Sequence, residues 1–76
     1  MTQYFFDLVS QQHCKRDFRG RELPTLEEAR RLAELIAIDL ATGPEDQWVG
    51  WSVAVHGVDG CELFAVPIQI LALTAA

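Results

Sequence analysis

The sequence predicts a small α+β domain of ββαββ order, with one helix lying across one face of an antiparallel sheet of three or four strands. Three observations carry this. Apolar residues alternate strictly in segments near both ends of the chain, a single central segment repeats them at helical spacing, and turn-forming residues stand at the junctions. Seventy-six residues make one domain and leave no room for a second.

The first strand is expected over residues 3–9, where Tyr4, Phe6 and Leu8 share one face and Gln3, Phe5, Asp7 and Val9 the other. The face with Gln3 and Asp7 should be the outer one. Ser10 to His13 is polar and reads as a turn. A short, irregular return strand follows over 14–23, interrupted by Asp17-Phe18-Arg19-Gly20, with Gly20 supplying a turn conformation that a side chain would resist.

The helix is expected over 25–42. Thr25 and Glu28 have capping-box spacing, and Leu26, Ala29, Leu32, Ala33, Leu35, Ile36, Leu40 and Ala41 make an apolar stripe. Glu27, Arg30, Arg31 and Glu34 should face water, with the early acids favoured by the helix dipole and Arg30 one turn from Glu34. Gly43-Pro44 should end the helix, the glycine in a left-handed cap. An acidic loop, Pro44 to Gln47, comes next.

Residues 48–57 and 61–68 read as a hairpin around Asp59-Gly60. A two-residue type I′ turn there sets Val58 opposite Cys61, and Val55, Val53 and Trp51 opposite Phe64, Val66 and Ile68. That register puts six large apolar side chains on one face, the face expected to pack on the helix; a slip of one residue would split them. The opposite face is nearly as apolar: Ala54, Val58, Leu63 and Ala65, with Phe5 and Val9 beside them, form a patch too continuous for a water-facing surface. An apolar tail, 69–76, follows Pro67, a residue suited to a strand end or a sheet edge, and the patch is to be covered either by Ile68 to Leu73 folding back within the chain or by a second copy.

These letters resemble a family of small, uncharacterised bacterial proteins classed as a domain of unknown function. The resemblance rests on Tyr4-Phe5-Phe6-Asp7, then Asp17, Gly20, Glu22, Leu23 and Pro24, then Glu27-Glu28-Ala29-Arg30, then Asp59-Gly60, Leu63 and Val66-Pro67, and it extends to about Ile68. It implies a small α+β domain and brings with it no activity, cofactor or catalytic residue.

Composition excludes several classes. Half the residues are apolar and 22% are charged, which is globular and not disordered. The apolar runs are too short to span a bilayer, and no basic residue precedes the first of them as an export signal would require. A cytoplasmic protein with two reduced thiols, Cys14 and Cys61, is the expectation. A net charge of −5 weighs against general nucleic-acid binding, yet all six basic residues lie between positions 15 and 31.

Candidate chemistry is sparse. His13, Cys14, His56 and Cys61 are metal-ligand types, but His13 and Cys14 are neighbours that point apart, and His56 with Cys61 makes only two ligands. Cys14 beside Lys15 and Arg16 has a cationic setting without a recognisable partner base. Asp17 and Glu22 read as local counter-charges to Arg19 and Arg21. No metal, cofactor or catalytic residue is therefore expected, and no enzyme.

The leading functional expectation is an interaction or structural module that self-associates, most simply as a homodimer, through Phe5, Val9, Ala54, Val58, Leu63 and Ala65. The alternative is an anion or nucleic-acid-binding module using Lys15, Arg16, Arg19 and Arg21, with Phe18 among them.

Overall fold

The computed structural model describes residues 1–43 and 47–68. Its elements run β1 (Thr2–Val9), β2 (Cys14–Lys15), β3 (Arg21–Leu23), α1 (Leu26–Ala41), β4 (Ser52–His56) and β5 (Glu62–Pro67). This is the expected α+β domain, one helix on an antiparallel sheet, with the return strand broken into two pieces so that five strands result.

β1 is the spine. One of its edges carries β4, with Phe6 opposite Val55 and Leu8 opposite Val53; β5 then follows β4. The other edge carries both short strands, β3 opposite Thr2 to Tyr4 and β2 opposite Leu8 and Val9. β3 and β4 are therefore parallel to each other with β1 between them, and α1 makes the crossover that such an arrangement needs.

The core forms where the alternating faces meet the helix. Val53 and Val55 are fully buried, with Tyr4, Trp48 and Ile68 around them and Phe6, Leu8, Trp51, Phe64 and Val66 packed at the margin. The helix presents Ala29, Ala33 and Ala37, one per turn, to this sheet. Small side chains let the helix sit close, so its buried arc is narrower than the expected stripe. Leu35 lies two residues from both Ala33 and Ala37, hence on the far side of the helix. It is 59% exposed, Leu26 is half exposed, and Ala37 takes the place expected of larger residues.

Both helix ends are capped by threonine. Thr25 is extended and its Oγ1 accepts the Glu28 N–H at 3.2 Å. Replacing Thr25 by alanine is expected to lower stability by about 0.5 to 2 kcal/mol, read from the denaturation midpoint. At the other end the expected glycine cap is not used, because Gly43 has no positive φ. Thr42 closes the helix instead, its N–H and its hydroxyl each donating to the Ile38 carbonyl at 2.9 Å. Pro44 to Asp46, within the expected acidic loop, and the expected apolar tail over 69–76 lie outside the described residues.

Two turn expectations are corrected. The strand expected from Trp48 begins only at Ser52: residues 47–50 form a turn with Gly50 at φ +83, and the Trp51 N–H donates to the Trp48 carbonyl. The turn brings Trp48 back into the core, edge-on to Trp51 at 5.2 Å. The hairpin turn is not type I′, which would require positive φ at Asp59 as well as Gly60, and only Gly60 has it. The Gly60 N–H donates to the Gly57 carbonyl and the Gly57 N–H to the Cys61 carbonyl, the pattern of a type I turn followed by a left-handed glycine. The extra residue shifts the register at the turn so that His56 pairs with Glu62, while Val55 with Phe64 and Val53 with Val66 keep the expected register. Val58 accordingly stands in the turn and not opposite Cys61.

Candidate functional site

The outer face of β1 is covered by the chain itself. Between its pairings with β3 and β2, β1 has a gap in its ladder, and the segment 16–20 folds over it. Asp17 fills the gap: its Oδ2 accepts the Phe6 N–H at 3.1 Å, and its Oδ1 accepts the Arg19 and Gly20 N–H groups at 3.1 and 3.2 Å. Its own N–H donates to Asp7 Oδ1 at 2.8 Å. Partial burial pushes the Asp17 carboxyl up, but the N–H donors of Phe6, Gly20 and Arg19, with His56 nearby, outweigh it and hold the group below the ordinary aspartate value. Asp17 is thus a backbone acceptor, and the expectation that it serves as counter-charge to Arg19 and Arg21 is corrected.

Asp7 is buried on this face and both of its oxygens are engaged. Oδ1 takes the Asp17 N–H, and Oδ2 lies 3.2 Å from Nδ1 of His56, which is stacked on Phe5 with ring centroids 5.1 Å apart. A buried carboxylate without such partners would cost several kcal/mol, on the order expected for an uncompensated charge. His56 is thereby committed to Asp7 and Phe5. Among the described residues no group of three or more His, Cys, Asp or Glu side chains is placed to hold a metal ion. Cys14 and Cys61 are both free and exposed. The carboxyl of exposed Asp59 is held below its ordinary value chiefly by the Cys61 N–H.

The six residues of the apolar face divide. Ala54 is buried, and Phe5 and Val9 are half-buried; Phe5 is walled by His56 and by the backbone of Gly20. Val58, Leu63 and Ala65 stay exposed, the first two at 74% and 46%. Leu63 and Ala65 belong to β5, the strand at the end of the sheet order, and Val58 to the turn that leads into it. On the helix side of the same strand a groove of about 280 Å³ runs between Ala37, Ile38 and Ala41 on one wall and Val66 and Pro67 on the other, with Glu34 at its rim. Ile38 is 58% exposed beside it. The Ile68 N–H donates inward to the Trp51 carbonyl, so the neighbouring Pro67 nitrogen points away from β4, to the side where no strand among the described residues needs its N–H.

The basic stretch is at the opposite edge of the sheet. Lys15, Arg16, Arg19 and Arg21 are all exposed, and Phe18 at the tip of the Asp17-anchored loop is 86% exposed. Lys15 reaches back so that its Nζ lies 5.3 Å from the centre of the Trp48 ring, within the range of a cation–π attraction. His13 stacks on Trp51 at 6.3 Å, away from Cys14. The structure does not gather Cys14, His13, His56 and Cys61 into one place.

Sequence reasoning missed the Asp7, His56 and Asp17 network. The signal for part of it was present: an aspartate three residues before a glycine is the spacing of a side chain that caps its own turn. Nothing in the letters indicates that the other oxygen of that aspartate fills a gap in a distant strand.

Fold and surface together define a small α+β domain with a split return strand, one loop pinned across the sheet, and β5 as the last strand on its side of the sheet among the described residues. The chain belongs to the family described as Domain of unknown function (DUF6894), whose profile matches residues 3–69. Comparison with curated proteins and with solved structures gave no match. No helix among the described residues is long and apolar enough to cross a membrane.

Proposed function

We propose that this protein is a non-enzymatic module that self-associates as a homodimer through the rim of its sheet at β5. The observation that carries the reading is the concentration of exposed apolar groups around that one strand: Val58, Leu63 and Ala65 on the outer side, Ile38 and the groove beside Val66 on the helix side. An exposed apolar surface on both sides of a strand that has no further neighbour among the described residues is unfavourable for a lone domain. A chain this short also buries a small fraction of its surface and gains from a partner, and twofold symmetry is the simplest way for one patch to meet itself. Phe5 and Ala54 are covered within the chain, so the surface offered to the partner is the rim and not the whole outer face. The reading includes a bacterial, cytoplasmic setting: two free exposed thiols suit a reducing compartment.

Light scattering on the purified chain tests this, with twice the 8.5 kDa chain mass expected. Leu63→Glu and Ile38→Glu, on the two sides of β5, should each yield a folded monomer, since both residues are exposed within the chain. A wild type that stays monomeric at high concentration refutes the proposal.

A further inference from the structure

We propose that the loop from Lys15 to Arg21 is a docking surface for single-stranded nucleic acid, with Phe18 as a stacking plane and the guanidinium groups of Arg16, Arg19 and Arg21 at the phosphates. It lies on the opposite edge of the sheet from β5 and is independent of self-association.

Phe18 stands on a backbone that is held on both sides. A large aromatic side chain that had merely failed to find a core would be expected on a slack segment. Phe18 instead follows Asp17, whose carboxylate grips the N–H groups of Phe6, Arg19 and Gly20 and whose own N–H is gripped by Asp7. On its other side the Arg19 carbonyl accepts from Gln3 Nε2 at 2.9 Å. Both neighbours of Phe18 are thus tied to β1, while its ring is 86% exposed. A backbone already held in place loses little further conformational entropy when the ring it carries is bound.

The charge of the loop favours the same partner. Residues 15–21 carry four cations and one carboxylate, although the chain as a whole is at −5. That carboxylate faces inward to backbone donors, so the outward field of the loop is cationic up to Glu22. Planar guanidinium groups beside one exposed ring match a partner that alternates phosphates with unstacked bases. A duplex hides its base faces, and the loop offers no helix or ribbon to enter a groove. One phenylalanine gives too little apolar area to hold a bilayer surface on its own.

The test is fluorescence anisotropy of the full chain with a labelled oligothymidine of roughly 12 nucleotides, at about 50 and about 200 mM salt. The wild type should bind at the lower salt and weaken at the higher. Phe18→Ala, at an exposed site that leaves the fold intact by thermal melting, should weaken binding roughly 5- to 100-fold. Arg19→Ala with Arg21→Ala should weaken it further and flatten the dependence of log affinity on log salt by about 0.7 for each phosphate left without its cation. The proposal is overturned by a wild type that does not bind at low salt, by a Phe18→Ala protein that binds as well as the wild type, or by binding to vesicles of anionic phospholipid but not to the oligonucleotide.

Discussion

Asp17→Ala is expected to destabilise the domain by about 2 to 4 kcal/mol, out of the order of 4 to 11 kcal/mol that a chain of this length holds. The substitution removes the acceptor of three backbone N–H groups at once. That of Arg19 is exposed and can turn to water, but those of Gly20 and Phe6 are part-buried, and the Phe6 N–H lies between two strand pairings, where water replaces the acceptor poorly. The segment 16–20 should loosen from β1, and hydrogen exchange at Phe6, Arg19 and Gly20 should quicken together. Asp17→Asn keeps one acceptor oxygen and should cost less. The pH dependence separates the two contributions. The folded-state pKa of Asp17 is depressed, so its charge-dependent stabilisation is present above the unfolded-state pKa and is lost as pH falls through the folded value. The stability difference between wild type and Asp17→Asn should therefore hold at neutral pH and shrink in acid. A denaturant midpoint unchanged by Asp17→Ala would mean that the loop is not anchored through this carboxylate.

Gly20→Ala should be at least as damaging, at about 2 to 5 kcal/mol. At φ +75 an L-residue is strained, and the added Cβ would stand 2.9 Å from the Phe5 ring and 3.0 Å from both Gln3 Nε2 and the Tyr4 carbonyl oxygen. Gln3 can move, but the Tyr4 carbonyl belongs to β1 and cannot yield without disturbing its ladder. Gly60→Ala is the matched control, because Gly60 has φ +83 with open space around it. It should lose only the conformational part, about 1 to 2 kcal/mol. Melting curves of the two variants isolate the close approach of the loop to the sheet. Equal losses would show that only backbone strain matters at Gly20.

These two residues also mark where sequence and structure part. The letters call for a turn at Asp17 to Gly20, because glycine and a short acidic side chain are what a turn uses, but they do not say what the turn rests on. The same holds for Asp7, which reads as an outward polar residue on an alternating strand. It does lie on the outer face, yet it is buried there, since a segment ten residues further along the chain closes over it and a histidine from β4 supplies the second partner. The basic stretch was legible as composition. That its phenylalanine stands in water on a pinned backbone was not, because exposure depends on everything else in the fold.

The sequence by itself determined the elements and their inner faces. Alternation over Tyr4 to Leu8, Val53 to Val55 and Phe64 to Val66, a threonine cap ahead of a periodic helix and the Asp59-Gly60 turn are local signals, written within a few residues of where they act. Tertiary structure alone decided that β1 sits in the middle of the sheet with β4 beside it, that the return strand breaks in two around Asp17, and that the helix rests on alanines and leaves Leu35 and Ile38 outside. Each of these outcomes depends on contacts between residues distant in the chain. Such contacts are settled by which packing buries the most apolar surface while leaving every backbone N–H with an acceptor, and no local pattern encodes that balance.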